Sequence, residues 1–137
     1  MSQVLVDANV LLDVPTEAPA WFDWSARTLE DQAAQAPLCS NPLIYAEVSV
    51  GFERIEELDE ALPPADFTRL PLRWEAGFLA GKAFVRYPRD GGQHHSPLPD
   101  FLIGAHAAVA RLPQLTRDVR RHRSHFPRLR LICPDPA

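Results

Sequence analysis

Two aspartates stand where short predicted strands end. Asp7 directly follows the apolar run Val4–Val6, and Asp118 closes the segment 115–118. A short, fully apolar run favours a central parallel strand that is buried on both faces. Ligands and chemistry in open α/β sheets gather at the carboxyl ends of the strands. We therefore interpret Asp7 as either a functional carboxylate or the N-cap of the helix that follows it.

Glu47 is the anomalous residue of a predicted helix that runs from Asn41 to Phe52, with an Asn cap and Pro42 at the first helical position. The residues three and four positions away on either side of it are Leu43, Ile44, Val50 and Gly51. Glu47 is therefore expected within a buried apolar face. A carboxylate there must be paired, protonated or bound to a metal. A salt bridge to an arginine is the alternative to a functional role.

Asp100 begins another predicted helix, where the helix dipole favours a carboxylate. Because short strands alternate with helices, we expect a parallel sheet that is covered on both faces. Asp7, Asp100 and Asp118 then meet at one edge of this sheet, and Glu47 can reach the same cleft. Carboxylates at about 4 Å repel each other by roughly 4 kcal/mol per pair, so a positive group must compensate.

Oxygen ligands of this kind select a hard cation such as Mg²⁺ or Mn²⁺. One or two such ions clamp phosphate oxygens, activate a water and steady the leaving oxygen, which predicts phosphodiester hydrolysis. The sequence offers neither a set of His and Cys with zinc spacing nor a Gly-rich phosphate loop. The adjacent His94 and His95 lie in a predicted loop, where solvation is the alternative to metal binding.

The remaining elements are predicted from hydrophobic spacing and from the position of prolines. We expect an amphipathic helix over 16–34 with Glu17 near its positive end, and a second helix over 73–87 that packs through Trp74, Phe78 and Val85. Gly77 and Gly81 would allow close approach of another helix. Strands are predicted at 38–40, 67–72 and 129–133.

The composition is that of an ordinary globular protein, with 46% hydrophobic and 23% charged residues in a chain of 137. This length predicts a single domain over 1–137. The net charge of −4 means that a nucleic-acid partner would need a local basic patch. Cys39 and Cys133 are expected to be buried thiols. Because neither a signal peptide nor a membrane span is predicted, we expect a cytoplasmic protein.

The chain resembles the PIN-domain nucleases, and within them the VapC-type toxins of toxin–antitoxin pairs. The matching segments are VDANVL at 6–11, NPL to AEV at 41–48, PDFLIGAHA at 99–107, and LTRD at 115–118 followed by FP and LRLI. The resemblance implies a PIN-like three-layer α/β/α sandwich with a central parallel sheet. It also implies a Mg²⁺- or Mn²⁺-dependent endoribonuclease, a homodimer, and a cognate antitoxin that inhibits it.

The resemblance also implies roles for individual residues. It places the catalytic and metal-binding carboxylates of the family at Asp7, Glu47, Asp100 and Asp118. Asn9 stands two residues after the first aspartate, where the family often has Ser or Thr. Its carbonyl can still hold a metal-bound water. Thr116 provides a hydroxyl beside Asp118.

Arginines are concentrated between residues 111 and 130, where Asp118 is the sole acid. The candidates for contacts with RNA phosphates are Arg117, Arg120 and Arg121, with Arg86 and Arg89 in second rank. Phosphate contacts of this kind supply affinity without sequence information. A solvated surface, or a surface that receives an acidic segment of an antitoxin, is the alternative.

Two other classes of function compete with the nuclease. Receiver-type signalling domains have a similar length and strand-end aspartates around Mg²⁺. Such domains usually need a lysine late in the chain, whereas the one lysine here, Lys82, falls inside a predicted helix. A non-catalytic PIN-like domain that serves only to bind a partner is the second alternative.

Overall fold

The computed structural model describes residues 3–86, 98–119 and 126–134. Five short strands form one parallel sheet in the order β3-β2-β1-β4-β5. The strands are β1 Val4–Val6, β2 Leu38–Ser40, β3 Phe67–Arg69, β4 Gln114–Leu115 and β5 Leu131–Ile132. The helices are α1 Ala8–Asp13, α2 Phe22–Ala33, α3 Pro42–Ser49, α4 Ile55–Ala61, α5 Trp74–Arg86 and α6 Leu98–Ala110.

Strand β1 lies at the centre of the sheet because the chain adds strands on both sides of it. Leu5 is in register with Cys39 of β2 on one side and with Gln114 of β4 on the other. The path from β1 to β3 runs in one direction along the sheet, and the path from β3 to β5 runs back across it. Right-handed crossovers in opposite directions place their helices on opposite faces. The predicted three-layer α/β/α sandwich is confirmed.

Two clusters of buried apolar side chains hold the layers together. The larger cluster surrounds β1 and includes Leu5, Ile44 of α3 and Ile103 of α6. The second cluster joins α5 to α6. Phe84, near the end of α5, packs edge-on against Phe101, near the start of α6, with ring centroids 5.6 Å apart. The end of α5 therefore lies against the start of α6.

Helix α2 begins at Phe22, so the prediction that it begins at residue 16 was wrong. Residues between α1 and α2 form turns, and Glu17 has a φ of 49°, in the left-handed region. The residue before a proline is disfavoured in helical geometry, and Pro19 follows Ala18 directly. Glu17 therefore lies outside the helix, and Asp23 is the acidic residue of the first turn.

The packing face predicted for α5 was wrong, although the helix itself is present. The three apolar side chains predicted to pack point to solvent instead, with Trp74, Phe78 and Val85 exposed by 93%, 70% and 77%. The buried residues of α5 are Ala76, Ala80 and Ala83. Alanines let two helices approach closely, so these small residues face α6 together with Leu79 and Phe84, and the predicted packing residues lie on the outer side.

No helix among the described residues is long and apolar enough to cross a membrane. Both cysteines lie within the described residues and carry thiols. Cys39 is buried in β2, which raises the pKa of its thiol, and Cys133 is half-buried.

Candidate active site

An acidic cavity of about 250 Å³ lies at the carboxyl edge of the sheet. It is lined by Asp7, Ala8, Asn9, Leu12, Glu47, Asp100 and Asp118. The structure thus brings together four acidic residues that are dispersed over more than one hundred positions of the sequence. We call this feature the acidic cavity.

Asp7 directly follows β1, lines this cavity and is 8% exposed. Its Oδ1 accepts a hydrogen bond of 2.8 Å from the backbone N–H of Ala8, so it caps α1. Its Oδ2 accepts from the Thr116 hydroxyl at 2.9 Å and from Nε2 of Gln114 at 3.3 Å. Capping and a place in the cavity are therefore compatible. These bonds fix the orientation of the carboxylate.

The Thr116 hydroxyl connects three residues of the cavity. It donates to Asp7 and accepts from Nδ2 of Asn9 at 3.3 Å and from the backbone N–H of Asp118 at 3.0 Å. A hydroxyl offers one donor and two acceptor sites, so its hydrogen-bonding capacity is fully used. Thr116 is fully buried. Its contacts hold the segment that carries Asp118 against α1.

Asn9 makes contacts that the sequence did not predict. Its amide N–H donates to Thr116, and its Oδ1 lies 3.5 Å from the backbone N–H of Arg117. Asn9 therefore ties the first turn of α1 to the segment after β4.

Glu47 lines the cavity, but the prediction that it lies within a buried face was wrong. It is half-buried, and Val50, three residues later, is 85% exposed. Helix α3 ends at Ser49 instead of Phe52, so Val50 and Gly51 do not extend its apolar face. Ile44 and Val48 pack inward, and this leaves Glu47 beside the cavity.

The helix that carries Glu47 is anchored to the helix that carries Asp100. Asn41 caps α3 as predicted, because its Oδ1 accepts from the backbone N–H of Ile44 at 2.8 Å. Its Nδ2 lies 2.7 Å from Nδ1 of His106 on α6. His106 is 2% exposed, and burial, followed by the charge of Arg73, lowers the pKa of its imidazole. A histidine within an apolar helix was the available sequence signal for this anchor.

Sequence reasoning also missed Asp13, the last residue of α1, which is 2% exposed. Its carboxylate accepts from Ser25 Oγ at 2.7 Å, from Arg117 Nε at 2.8 Å and from Arg117 Nη2 at 2.9 Å. The guanidinium of Arg117 also lies over the Trp21 ring, 5.3 Å from its centroid. Its pKa is raised by the hydrogen bonds to Asp13 and by the negative charges of Asp13, Asp118 and Asp7.

The arginines proposed for RNA binding are only partly described. Arg117 is engaged by Asp13, and Arg86 is exposed in the last turn of α5. Arg89, Arg120 and Arg121 lie outside the described residues, as do His94 and His95. Exposed arginines that the structure describes in the same part of the chain are Arg111, Arg128 and Arg130.

The side chains of the cavity fit a hard divalent cation by the chemistry of their donors. Their carboxylate oxygens are the ligands that Mg²⁺ and Mn²⁺ prefer. Within residues 3–86, 98–119 and 126–134, no group of three or more His, Cys, Asp or Glu is arranged to hold a metal ion by itself. Mg²⁺ does not require such a cage, because it usually binds one or two carboxylates and keeps waters and substrate phosphates as its other ligands.

Comparisons with known proteins agree with this fold. The family model described as "PIN domain" matches residues 4–126. VapBC2 from Rickettsia felis, solved with a DNA fragment from its promoter, is similar at a TM-score of 0.70 and 17% identity, over 97% of this chain and 99% of that chain. A toxin–antitoxin complex from Klebsiella pneumoniae is similar at a TM-score of 0.70 and 20% identity, over 98% and 99%.

VapBC-1 from nontypeable Haemophilus influenzae is similar at a TM-score of 0.68 and 16% identity, over 96% of this chain and 97% of that chain. The TM-scores show that the fold is shared, and at these identities the likeness shows the fold alone. No curated protein sequence matches the chain.

Proposed function

Since the chain belongs to the PIN-domain family, we propose that its acidic cavity is the active site of a metal-dependent endoribonuclease, the toxin of a toxin–antitoxin pair. The family is the one predicted from the sequence. The observation that carries the proposal is the convergence of Asp7, Glu47, Asp100 and Asp118 on one cavity. Mutual repulsion of these carboxylates makes the cavity favourable for a divalent cation.

The four carboxylates would together hold one or two Mg²⁺ or Mn²⁺ ions, each bound by one or two carboxylates and keeping water and substrate phosphate as its other ligands. When bound, such an ion supplies an activated water and stabilises the charge that develops on the phosphate. The contribution of the protein is to orient its carboxylates before the substrate binds. Asp7 is fixed by Ala8, Gln114 and Thr116, so its carboxylate does not need to reorganise when a substrate arrives.

RNA would approach the cavity through phosphate contacts. Arg111, Arg128 and Arg130 are exposed on the described part of the arginine-rich segment. Arg120, Arg121, Arg86 and Arg89 remain proposed contacts for the RNA backbone. Because such contacts release counterions, RNA binding should weaken steeply as salt is raised.

The decisive test is cleavage of a labelled structured RNA by purified protein that has been freed of any antitoxin. We expect cleavage with Mg²⁺ or Mn²⁺, no cleavage with EDTA, and loss of activity in Asp7→Asn. This substitution keeps the Oδ1 acceptor that caps α1 while removing the negative charge. Asp66→Asn is the matched control, because Asp66 is exposed and does not line the cavity. Equal cleavage with EDTA would contradict the proposal.

The alternative of a receiver-type domain conflicts with the sheet. The strand order here is β3-β2-β1-β4-β5, whereas receiver-type domains follow the 2-1-3-4-5 order of the flavodoxin-like fold. Lys82 does not line the acidic cavity; its Nζ lies 5.2 Å from the centroid of the Phe78 ring on α5. A non-catalytic binding domain is the remaining alternative, and the cleavage assay separates it from the nuclease.

The proposed partners are RNA, a cognate antitoxin and a second copy of the chain. The solved complexes with a similar fold support an antitoxin. The exposed apolar side chains of α5 support a homodimer, because a row of large apolar groups is unfavourable in water. A cytoplasmic location is proposed from the RNA substrate and the two thiols. Copurification of the product of an adjacent small gene would test the antitoxin.

A further inference from the structure

We propose that Arg117 is a positioning residue, whose ion pair with the buried Asp13 fixes the segment that brings Asp118 to the acidic cavity. This role rests on the proposed nuclease function. The positioning role replaces the contact between Arg117 and an RNA phosphate that was expected from the sequence.

The Asp13 end of the ion pair is inaccessible to a ligand. Asp13 is 2% exposed, and the hydrogen bonds from Ser25 and Arg117 reach both of its carboxylate oxygens. A two-pronged contact between guanidinium and carboxylate is directional as well as strong. If Arg117 turned outward to bind RNA, it would leave a buried carboxylate without its charge partner.

The other side of the guanidinium is also restrained. Arg117 packs over Trp21, with 5.3 Å between the guanidinium carbon and the ring centroid. Contact with an aromatic face suits the planar guanidinium better than the compact ammonium of lysine. Trp21 directly precedes α2, and Ser25 lies within that helix. Arg117 therefore ties the segment after β4 to both α1 and α2.

The ion pair completes a two-ended attachment of residues 116–118 to α1. At the start of the helix, Thr116 donates to Asp7 and accepts from the Asp118 amide. At its last residue, Arg117 binds Asp13. The six-residue helix spans about 9 Å at 1.5 Å per residue. Without the Arg117 attachment, the segment could rotate about Thr116, and the position of Asp118 would no longer be fixed.

The experiment compares Asp13→Asn, Arg117→Lys and the double variant with the wild-type chain. Arg117→Lys keeps the charge and removes the two-pronged geometry, while Asp13→Asn alters a residue that RNA cannot reach. We expect each variant to bind Mn²⁺ about 10- to 100-fold more weakly, as measured from free Mn²⁺ by electron paramagnetic resonance. The double variant should lose little more than either single variant, because both break one interaction.

Two further measurements separate positioning from binding. We expect kcat to fall with little change in KM for RNA. A fourth variant, Arg117→Ala, removes the charge, and the salt dependence of RNA binding should stay the same in it as in the wild-type chain. Hydrogen exchange at the Asp118 amide should become faster in both single variants, because its bond to Thr116 is no longer held in place. This measurement requires neither metal nor RNA, and circular dichroism establishes that each variant is folded.

Arg69→Ala is the matched control. Arg69 donates to Asp59 at 3.0 Å and stacks over the Tyr45 ring at 5.1 Å, so it makes the same two kinds of contact as Arg117. None of these three residues lines the acidic cavity. Mn²⁺ affinity and exchange at Asp118 should stay unchanged in this variant, even if the protein is somewhat less stable.

The opposite pattern would overturn the role of Arg117. If the salt slope of RNA binding fell by about 0.7 to 0.9 in Arg117→Ala, and Asp13→Asn left Mn²⁺ affinity and exchange at Asp118 unchanged, Arg117 would be a phosphate contact. A wild-type chain that binds Mn²⁺ but does not cleave RNA refutes the nuclease and leaves the Mn²⁺ comparison valid. If the wild-type chain does not bind Mn²⁺, hydrogen exchange at the Asp118 amide alone tests the role of Arg117: faster exchange in both single variants supports it, and unchanged exchange contradicts it.

Discussion

At the scale of single residues, Asn41 and His106 show how one polar pair links two helices. The Oδ1 of Asn41 accepts from the Ile44 N–H, so its amide N–H₂ must face the imidazole. Nδ1 of His106 is therefore the acceptor, and the ring is neutral with its proton on Nε2. Protonation would place two donors against each other in a buried site.

The Asn41–His106 pair predicts a pH dependence of stability. Because the pKa of His106 is lowered in the folded state, the unfolded chain binds a proton first as the pH falls below 6.5, the ordinary pKa of histidine. The free energy of unfolding should therefore be highest above 6.5 and should decrease between 6.5 and the lowered pKa. Urea denaturation at a series of pH values measures this decrease.

His106→Asn is the variant that isolates this effect. Its side-chain carbonyl can accept from Asn41 but does not titrate, so the decrease in stability below pH 6.5 should be smaller than in the wild-type chain. The difference between the two curves cancels the titration of the other four histidines. Parallel curves would assign the pH dependence to other groups.

At the scale of elements, α5 uses its two sides for different purposes. Its alanines pack on α6, and Trp74, Phe78 and Val85 form an exposed row. A Cβ at Gly77 or Gly81 would meet nothing within 4 Å, so both glycines leave open space along the helix. In an antiparallel pair of α5 helices, Phe78 of one copy can face the partner's Gly81. Such a contact is self-complementary, as a twofold dimer requires.

This surface predicts that Phe78→Glu converts a dimer into a monomer. The side chain is 70% exposed in the single chain, so the substitution should leave folding intact while placing charges at the interface. Sedimentation velocity measures the change in mass. Ile55→Glu is the matched control, because Ile55 is 61% exposed on α4 and does not belong to the α5 surface. A wild-type monomer would contradict the prediction.

At the scale of the whole molecule, the acidic cavity joins elements from distant parts of the chain. Asp7 and Asp118 follow β1 and β4, while Glu47 and Asp100 lie on α3 and α6. Their repulsion therefore opposes the assembly of the sheet with its helices, and a bound cation would offset it. Metal binding should stabilise the folded chain as a unit, since the unfolded chain does not hold the carboxylates together.

We therefore predict that Mg²⁺ raises the melting temperature. At a concentration tenfold above Kd, one site stabilises the folded state by about 1.4 kcal/mol, which corresponds to a few degrees in a domain of this size. Differential scanning calorimetry measures the shift, with NaCl at equal ionic strength as the control. Asp7→Asn should reduce it. An equal shift with NaCl would indicate screening instead of binding.

Local signals in the sequence determined much of the fold and of the candidate site. The apolar run before Asp7 predicted β1, and Asn41-Pro42 predicted the start of α3, because strand burial and helix capping depend on adjacent residues. Spacing alone indicated that α5 is a helix. The alternation of short strands with helices indicated the parallel sheet and the edge at which the acidic residues meet.

Only the tertiary structure decided which side of an element faces its neighbours. Alanines of α5 pack on α6 because close approach favours small residues, whereas the sequence favoured Trp74, Phe78 and Val85. Arg117 and Asp13 are separated by 104 positions, and no local pattern relates them. Their ion pair exists because neighbouring β1 and β4 bring α1 beside the segment that carries Asp118.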